Sequence, residues 1–313
     1  MIKYLNRFRY LDIPDITNFL FLVLISVLTL LFVDIHLKKY LIVFVNIAFI
    51  FVINLIIKKY EIDKSKSKTI KLLRFWYPVI MILVCFKEIY LIMMYSTGGV
   101  LYDDILIQLD RTILSTDPTV FLSHFANPVL TEVMQIIYSA FYLMPVIIGV
   151  QLYTEKRYNA FKYAMFVVFL GFYISFIGYL VVPAIGPRFT LHDFLALNTE
   201  MPGLFLTQLL RDIINIGESI PPGVTNPTEY AQRDAFPSGH TIMIIIITYL
   251  AYKFESRKFY LYLIYCILMI ISTVYLRYHY VIDLIAAVPV SVFTIYVANY
   301  LYRKKLQSVE VTG

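Results

Sequence analysis

Long apolar runs separated by polar connections constrain this chain more than any other feature of its sequence. As a helix, each of the first two runs is about long enough to cross a hydrocarbon core of roughly 30 Å. Hydrophobic residues make up 60% of the 313 residues and charged residues only 15%. This composition excludes a soluble globule and predicts an all-α fold, a polytopic membrane helical bundle of about eight spans. The predicted spans are residues 16–33, 41–57, 75–95, 133–153, 163–183, 240–253, 259–275 and 280–301.

The positive charges give the orientation of these spans. Of the 27 Lys and Arg residues, 19 fall in the two terminal tails and in the loops after spans two, four and six, and 7 in the other connections. Because cytoplasmic segments carry the excess of positive charge, both termini are predicted to be cytoplasmic. The first run lacks a small-residue cleavage site and is expected to remain as a signal anchor.

Two of the external segments are longer than a simple connection requires. Residues 96–127 carry four aspartates and the apolar positions Ile105, Leu109 and Ile113, a pattern that predicts one helix along the membrane surface. Residues 184–236 form a polar insertion, and loops of this length are usually lids, binding loops or disordered segments.

Composition also bounds the classes of partner. The net charge of +6 could suggest nucleic acid, but the lysines stand at the ends of apolar runs without a basic stripe, so nucleic-acid binding is excluded. The two cysteines, Cys85 and Cys266, lie within apolar runs and are expected to be packing residues, not a disulfide or metal site. Lys87 and Glu88 stand inside the third run, where pairing or snorkelling is expected.

A turn at the start of the sixth span carries a compact set of anion-handling groups. Pro237 suits the start of a helix, Ser238 is a good N-cap, and Gly239 lets the backbone approach a ligand closely. The free N–H groups of the first helical turn then face whatever lies above it, and His240 is placed to exchange a proton with it. The alternative is an ordinary capped membrane helix with one stray histidine.

Three further residues are expected at the same external level. His279 and Asp283 are four residues apart, a spacing that lets the carboxylate fix the imidazole tautomer and raise the nucleophilicity of its other nitrogen. The alternative is a histidine at a helix end in a structural hydrogen bond. Arg188 follows a Gly-Pro pair, and its guanidinium suits a phosphoryl group. The alternative is an interfacial arginine that contacts lipid head groups. The same two interpretations apply to Arg277.

These residues resemble the three motifs of the type 2 phosphatidic acid phosphatase superfamily, over roughly residues 127–301. The superfamily includes lipid phosphatases, undecaprenyl pyrophosphate phosphatases and inositol phosphorylceramide synthases. The matching segments, in the family's order, are Gly186-Pro187-Arg188, Pro237-Ser238-Gly239-His240, and Ser272 through His279 to Asp283.

The resemblance implies a role for each candidate residue. His279 would be the nucleophile that forms a phosphohistidine, supported by Asp283. His240 would protonate the leaving oxygen and then activate water or an acceptor alcohol. Arg188 would hold the phosphoryl oxygens together with Ser238 and the Gly239 N–H, without a metal or another cofactor. Two histidines with separated pKa values would give a bell-shaped pH dependence.

Two positions depart from the family's motifs. A lysine seven residues before the motif arginine is Val181 here, and an arginine six residues before the motif histidine is Thr273. Arg277 is the predicted substitute, as a further phosphate-binding residue. Without replacement of these cations the charge of the transition state would be less stabilised, so an inactive relative is an alternative.

The predicted function is that of an integral-membrane phosphatase acting on a lipid phosphate or pyrophosphate at the outer membrane face. Residues 1–126 would hold spans one to three and the external segment, and residues 127–313 the catalytic bundle. The plasma (inner) membrane is the expected location, with a lumenal site if the membrane is internal. A phosphotransferase that uses a lipid or inositol alcohol is the closest alternative, and a lipid transporter is one of another class.

Overall fold

The computed structural model describes residues 10–62, 67–96 and 98–311. It divides into two compact units, Met1–Gly98 with Val297–Gly313, and Gly99–Tyr296. The predicted boundary between residues 126 and 127 falls inside the second unit and stays a prediction about domains.

The first unit contains α1 (Ile13–Phe32), α2 (His36–Ile62) and α3 (Lys68–Ser96). At the start of α1 the Asp12 N–H donates to Asp15 (2.8 Å), which closes a capping box. Asp15 is fully buried and pairs with Arg74 (2.8 Å), as a buried carboxylate requires. Within α3 the buried Glu88 carboxylate accepts a hydrogen bond from Asn46 (3.0 Å).

The second unit contains a longer series of helices, the last of which continues into the first unit. They are α4 (Asp103–Leu114), α5 (Pro118–Ser123), α6 (Pro128–Ala140), α7 (Met144–Thr154), α8 (Tyr158–Val181), α9 (Pro187–Thr190), α10 (Leu197–Glu200), α11 (Thr207–Gly217), α12 (Gly239–Lys253), α13 (Phe259–Tyr275) and α14 (Val281–Val311).

The all-helical polytopic fold is confirmed. Six helical stretches among the described residues are long and apolar enough to cross a membrane: α1, α2, α3, α6 with α7, α8, and α14. The apolar helices α12 and α13 have 15 and 17 residues. At 1.5 Å per residue they are about 22 and 26 Å long, shorter than a hydrocarbon core of about 30 Å. Eight spans and cytoplasmic termini therefore stay predictions.

The segment between α3 and α6 forms two helices, α4 and α5, where one was predicted. Ile105, Leu109 and Ile113 are exposed on α4, as a helix at a membrane surface would have them. The opposite face of α4 is buried and includes Asp103 and Asp110.

The predicted insertion between α8 and α12 is ordered and contains α9, α10 and α11. Glu132, in the first turns of α6, accepts hydrogen bonds from the backbone N–H groups of residues 204–207 (2.7–3.2 Å) and from the Thr207 hydroxyl (2.6 Å). One carboxylate thus fixes the start of α11, where the helix leaves N–H groups without intrahelical partners.

Candidate active site

Backbone contacts bring three distant segments of the chain together. The Ala235 N–H donates to the Ala184 carbonyl (3.0 Å), so the two ends of the insertion meet. Gly186 has φ +89°, and a Cβ at this position would lie 2.7 Å from the Tyr278 carbonyl oxygen. Only glycine tolerates both conditions. Residues 184–188, 234–240 and 278–283 therefore converge.

Two aspartates on α4 hold this junction. Their spacing of seven residues puts both on the buried face of the helix. The Asp103 carboxylate accepts hydrogen bonds from the N–H groups of Ile185 (3.1 Å) and Gly186 (2.8 Å) and from the Tyr280 hydroxyl (2.8 Å). The Asp110 carboxylate accepts hydrogen bonds from the N–H groups of Val281 (2.8 Å) and Ile282 (2.7 Å), at the start of α14.

The two predicted histidines face each other at the junction. His279 Nε2 lies 3.2 Å from His240 Nδ1. On its other side, His279 Nδ1 lies 2.9 Å from the Ala235 carbonyl oxygen and 3.3 Å from Asp283 Oδ2. A carbonyl oxygen only accepts, so we assign the proton of His279 to Nδ1 and a lone pair to Nε2.

Burial governs the protonation of this pair. Burial lowers the pKa of His279 to about 4, although Asp234 and the Ala235 carbonyl act in the opposite direction. His279 is therefore neutral near pH 7. With a lone pair on His279 Nε2, the facing Nδ1 of His240 must be the donor. His240 Nε2 is buried without a hydrogen-bond partner among the described residues.

Asp283 and the turn before α12 fix the geometry around His279. Asp283 is fully buried, and its Oδ2 also accepts the Tyr280 N–H (2.9 Å). Ser238 caps α12: its Oγ accepts the Thr241 N–H (3.2 Å), and its own N–H donates to the Asp283 carbonyl (3.2 Å). Gly239 lies against the Tyr179 hydroxyl, where a Cβ would collide. The contacts of Ser238 and Gly239 thus set the start of α12.

Aromatic rings enclose the imidazole of His240. Tyr138 lies 4.7 Å from it and Phe141 lies 4.6 Å from it, measured between ring centroids. Tyr138 also stacks on Tyr278 at 4.1 Å. These rings pack against the imidazole of His240, which remains partly exposed.

Arg188 is buried beside the histidines. Its guanidinium pairs with Glu218 and lies 4.6 Å from the ring centroids of Phe189 and Tyr278. Burial alone would lower the pKa of Arg188, but Glu218 raises it, so the guanidinium stays charged. Its charge acts on His279, where it opposes protonation.

Comparison with known proteins agrees with this geometry. A family model described as the PAP2 superfamily matches residues 105–297, more than half of the chain and every residue of the junction. The chain belongs to the PAP2 superfamily. A PA-phosphatase related-family protein of Dictyostelium discoideum is 31% identical over 123 residues, which are 39% of this chain and 20% of that protein. The chain thus matches about a fifth of the length of that relative. No solved structure matches it.

Arg277 of this PAP2 protein pairs with a carboxylate beside the histidine site. The structure brings Arg188, His240, His279 and Asp283 together, whereas the guanidinium of Arg277 pairs with Glu200. Arg277 has φ +68°, in the left-handed region, at the end of α13.

Two of the three histidines that match no motif, His192 and His124, have other contacts. His192 Nε2 lies 2.9 Å from the Thr119 hydroxyl, and burial lowers the pKa of His192 to about 4. His124 Nδ1 lies 3.1 Å from the Phe121 carbonyl oxygen. His36 lies at the start of α2.

Two acidic residues of this PAP2 site were missed by sequence reasoning. Glu218 pairs with Arg188, and burial together with Glu218 raises the pKa of Asp234 to about 6. Both belong to the insertion and to no motif. The spacing of Asp103 and Asp110 could have identified the face of α4 that holds the junction, since Leu106 and Ile107 lie on the same face.

Proposed function

We propose that this PAP2 protein removes a phosphoryl group from a membrane lipid phosphate or pyrophosphate through a phosphohistidine on His279. One observation carries the proposal. His279 Nδ1 is held by a carbonyl and a carboxylate, while Nε2 faces His240 at 3.2 Å. An imidazole held in this tautomer has a nucleophilic nitrogen beside a second group that can move a proton.

In the first step the lone pair of His279 Nε2 attacks phosphorus. The bond between phosphorus and the leaving oxygen breaks; this is the lipid oxygen of a monophosphate or the bridging oxygen of a pyrophosphate. His240, protonated in the complex with the anionic substrate, gives its proton to that oxygen. The phosphorylated ring still carries the proton on Nδ1 and is cationic, so the Asp283 carboxylate stabilises it. Arg188 stabilises the charge on the phosphoryl oxygens. These oxygens compete with Glu218 for its guanidinium.

In the second step His240, now neutral, accepts a proton from water. The water oxygen bonds to phosphorus as the bond to His279 Nε2 breaks. Inorganic phosphate leaves, and both histidines return to their starting states.

An alcohol acceptor in place of water gives the second candidate, a phosphotransferase. The observation that favours it is the pair of carboxylates, Glu218 and Asp234, whose charges act on His279. Carboxylates accept hydrogen bonds from hydroxyl groups. A polyol acceptor would therefore find partners here that water does not need.

The excess of Lys and Arg in the predicted cytoplasmic segments supports a site on the outer face of a multi-pass membrane protein. The substrate lipid would then be taken from the outer leaflet, or from the lumenal leaflet of an internal membrane.

Phosphate release from a panel of lipid phosphates and pyrophosphates in detergent tests the proposal, with the wild type beside His279→Ala. We expect release by the wild type and none by the variant. Equal background release in both would refute the phosphatase. Transfer of a labelled phosphoryl group to lipid or inositol alcohols, measured on the same preparations, would identify the phosphotransferase.

A further inference from the structure

Arg211 and Arg277 form a second buried group of cations next to the histidine site. Their side chains are 3% and 2% exposed, respectively. Arg211 Nη1 donates to Asn198 (2.8 Å), and Arg211 Nε donates to Gln135 (3.4 Å). Arg277 Nη1 donates to Glu200. Burial lowers the pKa of Arg211, and the nearby charge of Arg277 lowers it further.

Positive charge exceeds negative charge in this group. Glu200 is the carboxylate that pairs with Arg277, and 43% of its side chain is exposed. Two buried donors, Arg211 Nη2 and Arg277 Nε, have no acceptor among the described residues. A buried guanidinium whose N–H groups lack acceptors is unfavourable, so two such groups whose charges repel each other favour a bound anion.

The group lies close to the candidate active site. Tyr278 connects the two, because the Arg188 guanidinium lies 4.6 Å from its ring centroid and its hydroxyl is hydrogen-bonded to Gln135, which also accepts the Arg211 Nε–H. Within the site, Arg188 is already neutralised by Glu218. The excess of buried positive charge is therefore on the Arg211 side of Tyr278.

We propose that Arg211 and Arg277 bind a second phosphoryl group of the substrate, which is then a lipid diphosphate. The phosphoryl group under attack would lie at Arg188 and the histidines, and the neighbouring one at Arg211 and Arg277. This proposal rests on the proposed function. Guanidinium groups suit it because they bind phosphoryl oxygens through parallel N–H donors.

Binding of two non-lipid probes to the full chain in detergent tests the proposal, by calorimetry and without turnover. The probes are inorganic phosphate and methylenediphosphonate, whose P–C–P bridge is not hydrolysed. We expect the wild type to bind the diphosphonate at least about tenfold more tightly than phosphate, equivalent to about 1.4 kcal/mol. Arg211→Gln and Arg277→Gln should remove that preference and leave phosphate binding within about twofold, since each loses a charge-assisted contact made only to the second group.

Two further variants separate binding from folding. Glu200→Gln removes the competing carboxylate from a half-exposed position, so it should tighten diphosphonate binding, whereas loss of a merely structural ion pair would not. Arg111→Gln removes an exposed arginine that pairs with Asp117 and should change neither probe.

Equal affinity of the wild type for both probes would overturn the proposal, and so would equal losses of both probes in Arg211→Gln and Arg277→Gln. Lipid phosphate release in the same preparations reports separately on the proposed function. Release that depends on His279 without a diphosphonate preference refutes only the second subsite. A preference that depends on Arg211 without any release refutes only the phosphatase.

Discussion

Replacement of Asp283 by Asn removes a charge from the site and leaves its hydrogen bonds in place. Asp283 Oδ2 accepts both the Tyr280 N–H (2.9 Å) and His279 Nδ1–H (3.3 Å). The amide oxygen of Asn can accept the same two bonds, and the Ala235 carbonyl (2.9 Å) continues to hold His279 in its tautomer. The substitution therefore tests the stabilisation of the cationic phosphohistidine by the carboxylate alone.

The size of the effect is the difference between a charged and a neutral hydrogen-bond acceptor. A hydrogen bond to a charged group contributes about 1.5 to 3 kcal/mol and one to a neutral group about 0.5 to 1.5 kcal/mol, so loss of the charge alone should lower kcat by about 5- to 13-fold. A larger loss is not expected, because the Ala235 carbonyl prevents the change of tautomer. KM should change little, since Asp283 is fully buried behind His279.

Initial rates of phosphate release from a saturating lipid substrate measure this effect, with thermal unfolding as the control for folding. His279→Gln provides the background rate. A kcat within twofold of the wild type would show that the carboxylate has no part in the reaction. A rate as low as that of His279→Gln, in a folded variant, would show that the Ala235 carbonyl does not hold the ring.

Four further outcomes are expected. Glu218→Gln should lower KM for a lipid phosphate severalfold because Arg188 then has no competing carboxylate, and an unchanged or higher KM would contradict that competition. His240→Asn should reduce release far more from a lipid alkyl phosphate than from an aryl phosphate with a good leaving group; equal losses would remove it as the general acid. In a pH series, the acid limb of the kcat/KM profile should lie near pH 4, because burial lowers the pKa of His279 to about 4 and protonation there blocks Nε2. An acid limb near pH 6.5 would contradict the neutral nucleophile. Glu132→Gln should raise KM and make residues 204–207 more accessible to protease, with unchanged cleavage as the contrary result.

Local patterns in the sequence predicted those parts of the site that depend on neighbouring residues. Ser238 caps α12 because a hydroxyl at this position reaches the N–H three residues later. The four-residue spacing of His279 and Asp283 also led to contact, although His279 lies in the connection before α14 and not on the helix.

Contacts between distant residues were not predictable from these patterns. Glu218 is thirty residues from Arg188, and nothing around it in the insertion marks it as a partner. The orientation of Arg277 depends on its left-handed backbone, a conformation that glycine or asparagine would normally signal at the end of a helix. An arginine there gave no such signal, so the sequence could not show that its side chain pairs with Glu200.

The central claim is the covalent phosphohistidine, and trapping it is the most direct test. Wild type and His279→Gln are mixed with a lipid carrying a radioactive phosphoryl group, quenched in alkali within the first turnover, and digested for peptide mapping. The account predicts an alkali-stable, acid-labile phosphoryl group on the peptide that contains His279, and none in the variant. Turnover without a labelled enzyme, or a label on another residue, would contradict it.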